Sequence, residues 1–570
     1  MRQYKFHIAE MVSAATGVDR LQLTVLIESP PSEEMGDLAL PCFHLARVYK
    51  KSPAAIAAEL AGKMTATEFV ERVQANGPYL NFFLRREKIA AEIIREVRAG
   101  GDNYGKSDIG LGKTVVIDYS SPNIAKPFGI GHLRSTVIGA ALKRIFLFQG
   151  YNVVGINHLG DWGTQFGKVI LAYKLWGDDG ILQENPIEHL YDLYVRIHQE
   201  EEKDPSLTHK AREEFRKLEG ADSENFALWK RFSDLSKREF DKIYAMLRVQ
   251  FEATAGESFY NDKNARVEKL LHDKGLLRES REATIVDLEK FGLQPMLVKR
   301  SDDATLYATR DLAAAIYRNE TYKFHKMLYV VGVAQSLHFQ QLFKVLELLG
   351  CSWAKDCHHV SFGWVKLGDE MMSTRKGNIV FLEDVISKAV KLAREIIGKG
   401  RPDLPDPEGP ARAVGIGAVV FTDLAFRRET DISFDWDRML DFGGNSGPYL
   451  QYTHARICSV VRKYARAVSE KFDSSLLILP EEYAIIKKLG NFHEIIDKAA
   501  EEFEPFHISS YLLELCGLFN AYYQRYKSPD DRIISADAGK AESRIALIDS
   551  IRYVLHSGLT ILGLTAPEIM

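Results

Sequence analysis

Ser120-Ser121-Pro122-Asn123-Ile124-Ala125-Lys126-Pro127-Phe128-Gly129-Ile130-Gly131-His132-Leu133-Arg134-Ser135-Thr136 decides how this chain is read. An apolar, β-branched run precedes it, Thr114 to Tyr119 (TVVIDY), with the makeup of a buried parallel strand. An apolar helical pattern follows, Val137 to Phe148 (VIGAALKRIFLF). A strand, a small-residue turn and a helix in succession bring backbone N–H groups and a positive helix end to one point, where a triphosphate can sit. Gly129 and Gly131 let phosphate or sugar approach the backbone. His132 can donate to a phosphate oxygen, and Lys126 adds a mobile charge. A tight turn with no ligand would use the same small residues.

Outward from this turn, from about 112 to 400, short apolar strands alternate with helical patterns. The strand candidates are 114–119, 152–157, 327–333 and 359–362, and the alternation argues a doubly wound parallel sheet. The charged stretch from about 170 to 290 interrupts it, with helical spacing over 208–219 and 225–248, as a solvated helical insertion would. Residues 1–108 read as a separate α/β unit. It has a strand over 23–27, helical spacing over 38–51 and 52–63 with a start at Ser52-Pro53, and a strand over 79–84 after the Asn76-Gly77-Pro78 turn. The 403–410 stretch is a linker, and 441–448 is a hinge-like segment. Beyond it the chain reads as helix over 449–472, 481–503, 507–526 and 543–562. The expected fold is therefore α/β. A Rossmann-like doubly wound parallel sheet with a helical insertion (109–440) lies between an N-terminal α/β add-on domain (1–108) and a C-terminal all-α helical bundle (441–570).

The 570 residues suffice for several cores, and 46% hydrophobic with 27% charged residues is ordinary for a globular chain. A net charge of -4 gives no global sign of nucleic-acid binding, so a polyanion would have to meet a local basic face. No apolar run reaches the roughly 20 residues of a membrane span. The first residues lack a signal-peptide core, which places the chain in the cytoplasm with no membrane partner. Five scattered cysteines fit reduced thiols. Cys351, Cys357, His358 and His359 match no standard ligand spacing, so no metal site is expected.

Three further segments carry chemistry. Glu370 to Asn378 (EMMSTRKGN) is small, polar and basic, with helical spacing after it over 381–397. Its Met372, Ser373 and Lys376 belong to a loop that can close over a triphosphate and neutralise charge as pyrophosphate leaves. A basic surface loop is the alternative. Tyr307 and Asp311 stand i and i+4 at a helix start, so a ring can pack on a guanidinium that a carboxylate binds. In the helical tail, Tyr449, Tyr452 and Arg456 share one face, and Tyr522 and Tyr526 repeat the aromatic spacing. Such faces stack on splayed bases, while an aromatic helix core would look the same. His158 to Gly167 (HLGDWGTQFG) follows the second strand and reads as a site wall containing Trp162.

The P-N-x-x-K-P-x-x-x-G-H-L-R-S-T turn resembles the "HIGH" signature of class I aminoacyl-tRNA synthetases in its arginyl form. The M-S-T-R-K-G-N loop resembles that family's "KMSKS" loop, and the likeness runs through nearly the whole chain. The first signature His is Gly129 here, and the two loop lysines are Met371 and Thr374; Lys126 and Lys376 are the candidates to substitute. The resemblance implies activation of arginine by ATP with Mg²⁺, transfer to the 3′ end of tRNA(Arg), no tightly bound cofactor, a monomer, and activation that needs bound tRNA. It implies that Asp118 and Asn123 hold the α-amino and carboxyl end of arginine, with Tyr307, Asp311 and Gln335 completing its site and His338 nearby. It also puts Asn76, Tyr79 and Asn81 on the tRNA elbow and Met570 with the tyrosines at the anticodon. A class I synthetase for another amino acid and a non-catalytic paralogue are the competing readings.

Overall fold

The computed structural model describes residues 1–280, 283–300, 307–366, 380–433, 435–528 and 532–570. Five parallel strands form its central sheet, in the order Cys357–His359, Lys326–Tyr329, Thr114–Asp118, Asn152–Asn157, Ala253–Thr254. The order reverses beside Thr114–Asp118, and the crevice outside the carboxyl ends of strands at such a switch is where open α/β sheets bind ligands. Val115, Val116 and Ile117 are fully buried, which is why this strand reads as an unbroken apolar run.

The helix after it spans Ile130–Phe148 and begins ahead of the apolar pattern. Its polar first turns are used inside the protein. Arg134 is buried, donating to the carbonyls of Thr430 (2.8 Å) and Arg428 (3.0 Å) and pairing with Asp423 at 3.2 Å. This guanidinium ties the helix to the segment that leads into the C-terminal bundle.

The insertion is helical over Thr164–Trp176, Asp179–Glu184, Pro186–Lys203, Ser206–Glu219 and Ser223–Leu247. It is followed by a three-stranded antiparallel sheet, Leu277–Ser280, Ala283–Val286 and Met296–Arg300, which the periodicity does not foretell. In the N-terminal part, Tyr79–Leu84 is the middle strand of an antiparallel sheet between Leu38–Pro41 and Val70–Asn76. Ser52 caps the Pro53–Lys63 helix by accepting the Ala55 N–H. The 23–27 stretch is not a strand: it lies in the Arg20–Leu26 helix and its C-cap Ile27, the helix starting where Asp19 accepts from the Gln22 N–H. The 38–51 stretch opens as the Leu38–Pro41 strand and turns helical only over Phe43–Tyr49.

The bundle comprises Gly447–Tyr464, Pro480–Gly490, Phe492–Glu501, Phe506–Arg525 and Ala538–Leu562, so the stretch read as one helix over 481–503 is broken at Asn491. Glu408–Leu424 already begins within the linker. Ala538–Leu562 is long and apolar enough to cross a membrane, contrary to the sequence reading, but 78% of its most apolar window is buried inside the fold. The described cysteines are all unbridged. One apolar core runs from the N-terminal helices through the sheet into the bundle.

Burial pushes Asp423 up to about 6 even with Arg134 pulling it down. Arg134→Ala should cost about 3 kcal/mol at neutral pH, because it leaves a buried carboxylate unpaired. The loss should shrink at pH 5, where Asp423 takes a proton instead. Urea unfolding at the two pH values reads both effects, and an unchanged midpoint would show that the pair anchors nothing.

Candidate active site

The chain leaves the first strand through residues that side chains seldom allow. Ser120 (φ 72°), Ser121 (φ 51°) and Ala125 (φ 60°) are left-handed. Neighbouring groups hold them there. Ser120 N–H donates to Ser135 Oγ (2.8 Å) and Ser121 N–H to Asn157 Oδ1 (3.2 Å). Ile124 N–H meets the Gly160 carbonyl, and Gly160 N–H meets that of Pro122, each at 3.1 Å. A Cβ on Gly160 would stand 2.1 Å from Asn123 Oδ1, so only glycine allows this approach.

At the helix start, Gly129 N–H donates to His132 Nδ1 (3.2 Å). That leaves Nε2 as the protonated nitrogen of a neutral ring, and burial lowers the His132 pKa to about 4. A Cβ on the exposed Gly131 would meet nothing within 4 Å among the described residues. The Lys126 ammonium lies 4.6 Å over the Tyr194 ring of an insertion helix.

Met371, Met372, Ser373, Thr374, Arg375 and Lys376 lie outside the described residues. Their flanks are placed. Val365–Lys366 pairs with Ile432–Ser433. Phe381 bridges Gly129, with Ile130 N–H on the Val380 carbonyl (3.2 Å) and Leu382 N–H on that of Phe128 (3.0 Å). The chain leaving the second motif is thus hydrogen-bonded onto the glycine turn.

Three carboxyl groups gather at the sheet edge, each with different neighbours. Asp118 is buried, 2.8 Å from the fully buried Arg318, and accepts from Ser121 Oγ (3.0 Å). It is committed to the floor of the crevice rather than presented to it. Asp311 meets His338 Nε2 at 2.7 Å. Burial is the strongest single influence and works against its ionisation, but the hydrogen bond and charge of His338, with the nearby His158 and Arg318, together outweigh it and hold its pKa below the usual value. Glu257 behaves oppositely: burial pushes it up to about 8, and Arg310, 3.8 Å away, offsets only part of this. Its Oε2 is buried without a hydrogen-bond partner among the described residues. Glu257 was not singled out from the sequence. Its signal is positional, since it follows the carboxyl end of the short Ala253–Thr254 strand.

Tyr307 opens the Tyr307–Tyr322 helix that carries Asp311, with its ring outside the described atoms. Asn123 is half-buried beside Gly160, and Gln335 is exposed at the N-cap of the Ser336–Leu349 helix. Trp162 is buried edge-on against Phe215 and Trp229 of the insertion, so its ring packs that unit on the sheet while its backbone hydrogen-bonds Glu257.

On the bundle, Tyr452 is exposed and the Arg456 guanidinium lies 4.7 Å over its ring and 5.6 Å over that of Tyr523. Arg456 also donates to Asn520 Oδ1 (2.6 Å), whose amide donates to the Tyr449 hydroxyl (3.1 Å). Tyr522 is a correction: it is buried, its hydroxyl on Glu482, and shows no face to a base. The adjacent Tyr523 is the exposed ring. Half-buried Tyr526 donates to Glu481 (2.6 Å). Met570 is buried, its carbonyl accepting from Arg401 (3.0 Å), and the tail before it lies along the Gly447–Tyr464 helix. In the N-terminal sheet, Asn76 and Tyr79 are exposed at a hairpin, whereas Asn81 is buried between two partner strands and is inaccessible. His359 faces the Val331 carbonyl, and no group of three or more metal-ligating side chains is present among the described residues.

With this geometry in view, comparison with known proteins is unambiguous. The family "tRNA synthetases class I (R), catalytic domain" matches residues 96–436, "DALR anticodon binding domain" matches 450–570, and "Arginyl tRNA synthetase N terminal domain" matches 2–84. The chain is 46% identical over 569 residues to the arginine–tRNA ligase of Clostridium botulinum strain Alaska E43, covering 100% of both. It is 47% identical over 545 residues to that of Halothermothrix orenii, covering 96% of this chain and 95% of the relative. The solved Thermus thermophilus arginyl-tRNA synthetase superposes with a TM-score of 0.82 at 28% identity, over 95% of this chain and 96% of that one.

His132 supplies a direct check of the turn. Between pH 6.5 and about 4 the unfolded chain binds a proton at this ring that the folded protein refuses, so its contribution to stability fades as pH falls. Its imidazole NMR shifts should stay those of the neutral Nε2–H form from pH 8 to 5. A midpoint near 6.5 would place the ring outside the turn.

Proposed function

This chain belongs to the arginyl-tRNA synthetase family, and on that footing we propose how its crevice carries out arginine–tRNA ligation. ATP enters as its Mg²⁺ complex and lays its phosphates on the turn of Gly129, Gly131 and His132. The His132 Nε2–H and the first N–H groups of the helix are its donors. Lys126, Met372, Ser373 and Lys376 act around the triphosphate, the lysines neutralising charge as pyrophosphate departs. The arginine carboxylate attacks the α-phosphorus, the bond to pyrophosphate breaks, and the terminal ribose hydroxyl of tRNA(Arg) then displaces AMP from the carbonyl carbon. Positioning and charge stabilisation do the catalysis, with no covalent enzyme intermediate.

Glu257 carries the choice of arginine. Glu257, held largely protonated near neutral pH because Arg310 offsets only part of its burial, stands beside the ionised Asp311 and can take a further cation. A guanidinium set between them discharges both, with the Tyr307 ring packed on its face. Asn123 and Gln335 hold the amino-acid end, and Asp118 with Arg318 fixes the floor beneath it.

The tRNA would lie across the exposed Tyr452–Arg456–Tyr523 stack, with Asn76 and Tyr79 toward its elbow. Division into 1–108, 109–440 and 441–570, a cytoplasmic monomer and the lack of a tightly bound cofactor complete this reading.

ATP–pyrophosphate exchange tested across the amino acids, with and without tRNA, should respond to arginine alone. Exchange with any other amino acid would overturn the pocket. Arginine binding should also release up to about one proton at pH 7, since the guanidinium brings Glu257 down from about 8. Affinity therefore rises with pH up to about 8 and is flat above. Glu257→Gln should abolish the release, measured calorimetrically in buffers of different ionisation heat, and raise the arginine KM by about tenfold or more.

A further inference from the structure

We propose that Ser236 and Tyr244, on the Ser223–Leu247 helix of the insertion, are positioning residues for the nucleotide turn, so that this helix is a working part of the active site. The inference rests on the ATP-binding role proposed above for that turn.

The insertion lies outside the parallel sheet, yet it supports the left-handed backbone at both ends. At one end, the Ala125 N–H donates to Ser236 Oγ at 3.0 Å. Ser236 Oγ donates in turn to the Phe232 carbonyl (2.8 Å), which fixes its lone pair toward Ala125. At the other end, Ser120 Oγ lies 2.8 Å from the Tyr244 hydroxyl, which accepts from Asn157 Nδ2 at 3.0 Å. Either hydroxyl of this pair can be the donor. Thr136 Oγ1 continues the chain, 2.8 Å from Ser120 Oγ and 2.7 Å from the His132 carbonyl. A line of hydroxyls thus joins the insertion helix to the residue whose imidazole faces the phosphates. Every member is buried: Ser236 and Thr136 at 0%, Ser120 at 4%, Tyr244 at 5%.

The sequence of the helix is suited to this. Phe232, Ser236, Phe240 and Tyr244 recur every fourth residue and form one stripe. Between the two hydroxyl contacts, Phe240 and Tyr244 meet the Phe128 ring at 5.7 and 5.6 Å, and Phe128 meets His132 at 5.3 Å. A helix that served only to fill the sheet face would need the rings but not the hydroxyls. Here the hydroxyls contact two of the three left-handed residues, where the backbone has the strongest tendency to relax.

The test is Tyr244→Phe and Ser236→Ala, singly and together, since each removes one oxygen and leaves the packing. ATP–Mg²⁺ affinity is measured by calorimetry, and kcat and KM by pyrophosphate exchange with arginine and tRNA. Each single variant should bind ATP about five- to tenfold more weakly and lower kcat by a similar factor, with arginine KM, tRNA affinity and melting temperature close to wild type. Unchanged ATP affinity overturns the proposal. So does a loss shared equally by ATP, arginine and tRNA with a lowered melting temperature, which would mark a merely structural pair. If the wild-type protein binds ATP but exchanges no pyrophosphate with arginine, the proposed function fails, and the ATP affinities of the variants still decide this point.

Discussion

Three non-glycine residues in the left-handed region within six positions, Ser120, Ser121 and Ala125, are the constraint from which the site follows. Each costs about 1–3 kcal/mol against a relaxed backbone. Such a path persists only where surrounding groups fix it from several directions. Here they come from the signature helix through Ser135, from the second strand and its loop through Asn157 and Gly160, and from the insertion through Ser236 and Tyr244. The return is geometric. The bent path brings Asn123 against Gly160 and lets the chain enter the helix at Gly129 with its N–H already bonded to His132. A relaxed loop would leave that N–H and the imidazole to find each other on binding.

Charge is arranged with the same economy. Arg318 and Arg134 are buried to 1% and 0%, each opposite one aspartate. Internal guanidinium groups of this kind let Asp118 and Asp423 stay inside the fold. Glu257 has Arg310 only at 3.8 Å, and burial raises it, whereas Asp311 has His338 at 2.7 Å and is lowered. Two carboxyl groups near each other thus have their pKa values pushed apart, one by burial and the other by its neighbours.

Much of this was legible in the sequence, and the failures have physical causes. The buried strand at 114–118, the glycine turn and the helix after it read correctly because each has one strong signal: an apolar run, small residues, a periodic pattern. The 23–27 stretch failed because its β-branched residues suggest a strand, while in the fold Val25 is 85% exposed and Asp19 caps a helix. Tyr522 and Tyr523 could be told apart only by phase: Leu515, Phe519 and Tyr522 share the buried stripe, and Tyr523 falls off it. Asn81 was lost for a similar reason, since a middle strand hides residues that an edge would show. Trp162 and Glu257 depend on long-range neighbours, Trp229 and Arg310, which no local pattern announces. The 170–290 region reads as solvated because its outer faces are charged. What reveals its part in the site is the inward stripe, and a stripe that mixes serine with aromatics has little apolar periodicity.

The signature helix extends the argument beyond the crevice. Its 19 residues span roughly 28 Å at 1.5 Å per residue. One end is the nucleotide turn. At the other, Phe146 and Phe148 meet Phe503 and Phe492, and Gln149 donates to Asp497 at 2.8 Å. Near that end a Cβ on Gly563 would stand 2.6 Å from the Arg144 guanidinium, so the bundle's last helix ends in close contact as well. The same apolar core encloses both ends. Cores packed this closely do not slide by small amounts, because each side chain fills a defined space. Moving the bundle against the sheet would therefore either break these contacts or carry the helix, and its first turn, along with it. The exposed Tyr452–Arg456–Tyr523 face and the glycine turn are thus fixed to a single body, and their relative placement is set by folding.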